Sequence, residues 1–118
     1  MKPQVALRIA GISGFLAVAL GAFGAHLLRA RLAPAALAVW QTAVLYHLVH
    51  SVVLFCLASR AEVSRWSFGL FTGGIVIFSG SLYLFAFTGV TTFAHFTPVG
   101  GACLLGGWGV LACCSKTR

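Results

Sequence analysis

The stretch Ile9–Leu28, IAGISGFLAVALGAFGAHLL, runs without a single Lys, Arg, Asp or Glu. As a helix rising about 1.5 Å per residue it extends about 30 Å, the thickness of a bilayer's hydrocarbon core. Lys2 and Arg8 before it and the small residues near Ala25 also suit a cleaved leader. The apolar run is longer than a usual leader core, however, and the chain beyond it is just as apolar. The stretch reads as the first of four membrane-spanning helices, taken as residues 8–28.

Outward from this segment the punctuation is regular. Arg29 and Arg31 interrupt the apolar run, and Pro34 opens the next, because proline disfavours helix just before itself and suits a first turn. A second helix is predicted over 34–59. Arg60 to Arg65 is the most polar stretch and holds Glu62, the only acid. A third helix follows over 66–88. Gly89 to Thr97, rich in Gly, Thr and aromatics, reads as a short turn, and Pro98 starts a fourth helix over 98–114. The expected architecture is all-α: a polytopic membrane protein whose residues 1–118 form one transmembrane domain, a four-helix transmembrane bundle.

Composition excludes the soluble alternative. Hydrophobic residues make up 60% of the 118 and charged residues 8%, against about 25% charged in ordinary soluble domains. The net charge of +7 would suit a nucleic-acid partner only if the basic residues lined one face. Instead they fall in sparse pairs at the edges of apolar stretches, where anionic lipid headgroups are the simpler partner. Lys2, Arg8, Arg60, Arg65, Lys116 and Arg118 belong to one side of the membrane, Arg29 and Arg31 to the other. The positive-inside rule then expects a multi-pass protein of the inner (plasma) membrane with both termini cytoplasmic. Trp40 and Trp66, near predicted helix ends, suit interfacial anchors; Trp108 lies about a turn and a half inside. Cys56, Cys103, Cys113 and Cys114 lack metal-pair spacing and read as small packing residues, with acylation of the adjacent pair a lesser reading.

Lipid provides no hydrophobic drive for helix association, so small residues mark the contacts. Ala10, Ser13, Gly14, Ala17, Gly21, Gly24 and Ala25 share one side of the first helix at about 100° per residue. Gly69, Gly73 and Gly80 share a face of the third. A compact bundle would account for nearly all of these, with contact between subunits as a further use.

The polar residues inside the spans are fewer and more telling. Thr42, Tyr46 and His50 recur every four residues along the second helix, with His47 about 60° round from His50. Both histidines fall near mid-membrane by residue count. Thr72, Ser79 and Tyr83 share a face of the third helix, and His26 stands near the outer end of the first. If the second and third helices meet, His47, His50, Thr42, Tyr46, Ser79 and Tyr83 converge in a buried polar cluster. Ionisable groups inside a membrane invite a functional hypothesis, but a neutral imidazole paired with a hydroxyl also serves as a latch between helices. Proton relay or a polar path past His50 comes next, then haem or metal ligation. No cofactor is expected, because no carboxylate or suitably placed cysteine completes a metal shell. A facing histidine for haem is missing too, His26 lying about 15 Å nearer the surface by helix rise. Hydrolytic catalysis lacks a carboxylate-backed histidine.

Four segments carry a resemblance: Gly21-Ala22-Phe23-Gly24-Ala25-His26; Trp40-Gln41-Thr42-Ala43 with Tyr46-His47-Leu48-Val49-His50; Phe78-Ser79-Gly80-Ser81-Leu82-Tyr83; and Thr97-Pro98-Val99-Gly100-Gly101 leading to Gly107-Trp108. In order and spacing the chain, from about Arg8 to Ala112, resembles the small membrane proteins of the domain of unknown function 423 family, which includes YgdD-like and transmembrane protein 256-like proteins. The resemblance implies a four-helix inner-membrane protein and no established activity. It also implies that His26 and His50 are motif positions, that His47 is a freer one, and that His95 lies outside the pattern. The expected function is a non-enzymatic oligomer or an accessory subunit of a larger membrane complex. The alternatives are a small transporter or channel, or a haem- or metal-binding redox protein.

Overall fold

The computed structural model describes residues 1–114. Lys116 and Arg118, which entered the charge count, lie outside the described residues, as does the side chain of Cys114. Helix α1 is Pro3–His26, followed by a 3-10 turn, Leu28–Ala30; α2 is Pro34–Ala58. Helix α3, Arg65–Gly74, runs through a π-helical turn, Ile75–Ser79, straight into α4, Gly80–Thr88. A one-turn helix α5, Thr91–Ala94, precedes α6, Thr97–Cys114. Among the described residues, four units are long and apolar enough to cross a bilayer: Pro3–Ala30, Pro34–Ala58, Arg65–Thr88 and Thr91–Cys113. No strand occurs among the described residues.

Local chemistry explains where the elements start and stop. Helix α1 begins at Pro3 rather than near residue 8, with proline in its first turn. Ala6 and Ala10 are buried on one side, while Arg8 is exposed, so its long side chain can reach the interface. Ser64 caps α3, its hydroxyl accepting the Ser67 amide. Gly89 ends α4 in the left-handed region at φ 72°, its amide bonded to the Phe85 carbonyl at 2.8 Å. The expected turn over 89–97 contains α5.

Helix α1 lies along α2, and the third span packs against both α2 and α6, within overall dimensions of 49 × 25 × 18 Å. Ala6, Ala10, Leu54, Leu57, Phe68, Phe71, Ile75 and Leu104 form the apolar core toward the amino-terminal end of α1; Leu28, Trp40 and Ala86 form a smaller one at the opposite end. Trp40 is therefore buried rather than an interfacial anchor, and its indole N–H donates to the Leu20 carbonyl at 2.9 Å. Trp66 stays exposed, with the Arg65 guanidinium 5.7 Å from its ring centre. Cys56 and Cys113 are exposed too, so the packing role expected of them does not hold.

The glycines divide differently from the sequence expectation. A side-chain carbon at Gly100 would strike the backbone of Phe78, one at Gly74 the side chain of Leu104, and one at Gly107 the ring of Phe71. These three form the seam between the third and fourth spans. On α1, Gly21 and Gly24 accept Val44 and Trp40. At Gly14, Gly69, Gly73 and Gly80 nothing lies within 4 Å of such a carbon. The reason is rotational: Phe68, Phe71 and Ile75 set the buried side of the third span, and Gly69 and Gly73 sit more than about 120° away from it. The π turn then adds one residue to the helical count, a rotation of about 100° that moves Gly80 off the line of Gly69 and Gly73.

Candidate functional site

The buried side of α2 follows alternating steps of three and four: Trp40, Ala43, His47, His50, Leu54, Leu57. Both histidines thus occupy core positions of an ordinary packed helix, and each finds a partner on a different neighbour. His47 Nδ1 lies 2.9 Å from the Tyr83 hydroxyl on α4. One turn before it, the Ala43 carbonyl accepts the Ser79 hydroxyl at 2.8 Å. One turn after it, the Ser51 hydroxyl donates to the His47 carbonyl at 2.7 Å. That uses the only proton of Ser51, so Ser13 of α1 donates across the 2.6 Å contact between their hydroxyls.

His50 faces the fourth span. Its Nδ1 is 2.8 Å from the Tyr46 carbonyl, which can only accept, so Nδ1 carries the proton. Its Nε2 then presents a lone pair and accepts the Trp108 indole N–H at 3.2 Å. The network assigns His50 as the neutral Nδ1–H tautomer with both nitrogens engaged. Its ring also packs near Phe71, with centres 5.7 Å apart, and edge-on to Trp108 at 6.0 Å. Helix α2 is therefore hydrogen-bonded to all three other spans within a few turns of mid-membrane.

The expected cluster is only partly assembled. His47 meets Tyr83, and Ser79 bonds the α2 carbonyl one turn before it, whereas His50 bonds instead to Tyr46 and Trp108. Thr42 does not join them: it is exposed, and its hydroxyl returns to the Ala38 carbonyl of its own helix at 3.1 Å. Its four-residue spacing from Tyr46 and His50 placed it on a line that runs beside the buried face. Tyr46 is 40% exposed, stacked along His50 and near Phe78. His26 is exposed at the end of α1, remote from both histidines in sequence and packing. Thr72 bonds within its own helix, to the Phe68 carbonyl. Ser13, Ser51 and Trp108 were not anticipated as partners. The signal for Trp108 was an indole N–H well inside an apolar span, which needs an acceptor. Among the described residues, the Ser67 hydroxyl is a buried polar atom without a partner, and no three His, Cys, Asp or Glu side chains converge.

A groove of about 500 Å³ opens beside His50 between α2 and α6, lined by Tyr46, Phe78, Gly101, Leu105 and Trp108 among others. His50 and Trp108 bridge it at one end.

Against known proteins, the family described as protein of unknown function (DUF423) matches residues 20–101. The chain is 38% identical over 116 residues to the UPF0382 inner membrane protein YgdD of Escherichia coli, covering 94% of this chain and 88% of that one. It is 37% identical over 114 residues to the UPF0382 membrane protein YwdK of Bacillus subtilis, covering 89% and 90%. A Staphylococcus epidermidis UPF0382 membrane protein is 34% identical, covering 92% of each chain. No solved structure matches.

Proposed function

The chain belongs to the DUF423 family of membrane proteins, and we propose that it is a non-enzymatic subunit acting by assembly in the plane of the membrane, as an oligomer or within a larger membrane complex. The observation that carries this reading is the open glycine pair Gly69 and Gly73 on the outward side of the third span. Glycine costs about 1 kcal/mol against alanine inside a helix, and nothing among the described residues lies within 4 Å of a side-chain carbon at either. Small residues four apart let a second helix approach closely in lipid. The polar cluster supports the same reading from the other side. Its imidazoles and hydroxyls serve as latches between spans, and His50, with both nitrogens engaged, offers no lone pair to a metal and no site at which to pass on a proton.

Crosslinking in native membranes tests this. The wild-type chain should give a crosslinked dimer or a larger complex, and Gly73→Leu should lower its yield at least about tenfold while the bundle stays folded, since a side-chain carbon added there meets nothing within 4 Å among the described residues. Equal yields from the two would sink the proposal.

Orientation belongs with it. The charge pattern supports termini on the cytoplasmic side of the inner membrane. Lys2 and Lys116 are the only lysines, so an amine reagent that cannot cross the membrane should label inverted vesicles and spare right-side-out ones. The reverse pattern would refute the assignment.

A further inference from the structure

The groove lies between α2 and α6, walled by the rings of Tyr46, His50, Phe78 and Trp108 together with small and aliphatic residues of α6. The Tyr46 and Phe78 ring centres are 4.6 Å apart, and Trp108 stands edge-on to Phe71 at 5.2 Å. Tyr46, Trp108 and Leu105 are 40%, 46% and 75% exposed, so the groove opens sideways into lipid. His50 and the Trp108 indole have used their polar atoms on each other and on the Tyr46 carbonyl. The Tyr46 hydroxyl has no hydrogen-bond partner among the described residues.

Depth makes that hydroxyl informative. Tyr46 is the middle residue of the 25-residue helix α2, about 18 Å along the axis from either end. Water does not satisfy polar groups there, and an unpaired phenol in hydrocarbon is unfavourable. A phospholipid cannot supply the acceptor, because its ester carbonyls stay with the headgroup about 15 Å from the midplane. A charged ligand would be penalised at this depth. The occupant must be uncharged, apolar over most of its length, equipped with an acceptor oxygen, and flat enough to lie among aromatic rings.

We propose that the groove binds the ring of an isoprenoid quinone, the Tyr46 hydroxyl donating to a ring carbonyl, the ring lying against Phe78 and Trp108 and the tail leaving past Leu105. A volume of about 500 Å³ falls within the usual range for a small-molecule site. The proposal concerns binding alone and stands whether or not the chain assembles through Gly69 and Gly73.

The test is a titration of the full chain in nanodiscs with a ubiquinone carrying a ten-carbon tail, followed by tryptophan fluorescence. Wild type should show saturable quenching, and Trp108→Phe should lose its saturable part. Tyr46→Phe should shift the midpoint to about fivefold higher quinone, the loss expected for one neutral hydrogen bond. Its unfolding midpoint without quinone should match wild type, since no bond within the chain is removed. Quenching that rises without saturation, or one midpoint shared by wild type and Tyr46→Phe, would overturn the proposal. So would efficient disulfide crosslinking between two chains carrying Ala102→Cys in the groove wall, which would make a second copy the occupant.

Discussion

Gly100→Ala is expected to lower the stability of the folded bundle by about 3 kcal/mol, while Gly101→Ala, one residue along, is expected to stay within about 0.5 kcal/mol of wild type or to gain. The two glycines share a helix and a chemistry but not a neighbour. A side-chain carbon at Gly100 would overlap the backbone of Phe78, which sits inside the π turn and has no rotamer by which to withdraw. The third and fourth spans would have to separate, drawing Gly107 off Phe71 and Trp108 off His50. At Gly101 the same carbon meets only the Phe78 ring edge at 3.8 Å, an ordinary contact, and alanine is the better helix former. Reversible unfolding in mixed micelles with increasing denaturing detergent would measure both. Equal effects at the two positions would contradict the seam described for these spans.

The second large effect is expected at His50. Replacing it with alanine removes a ring packed near Phe71 and Trp108 and leaves the Trp108 N–H without its acceptor. Truncating a buried side chain and orphaning a donor together are expected to cost about 2–4 kcal/mol in the same unfolding experiment. Thr42→Ala, on the same helix and within the same sequence motif, is expected to cost less than about 0.5 kcal/mol, because its hydroxyl is exposed and returns to its own backbone. A residue lining a transport path would behave differently: its loss would change flux and leave stability nearly intact.

The number of spans was legible in the sequence because bilayer thickness, proline placement and the paired arginines are local signals. Their ends were less so. Arg8 looked like a boundary, yet a long cationic side chain lets the helix start at Pro3. The π turn was invisible in composition, and it changed which residues of the third span share a side. That one turn explains why Ser79 and Tyr83 reach α2 while the glycine line containing Gly69 and Gly73 faces outward. The histidines stand out by their rarity in lipid, and the His47–Tyr83 contact joins two residues that spacing placed on facing helices. Spacing did not suggest His50–Trp108, because it joins positions far apart in sequence across a groove, and no periodicity within either helix points to the other. Trp40 was misplaced for a related reason: a tryptophan near a helix end suits the interface by depth, but Gly24 opens a slot on α1 that takes its ring.

If the α2 histidines serve as latches between spans, the His50–Trp108 bond is the plainest instance. A double-mutant cycle on this pair, using His50→Ala, Trp108→Phe and the double variant in lipid-like micelles, measures it directly. A coupling free energy of about 1 kcal/mol is expected, in the range found for hydrogen bonds between membrane helices. Strictly additive losses, with coupling below about 0.3 kcal/mol, would contradict it.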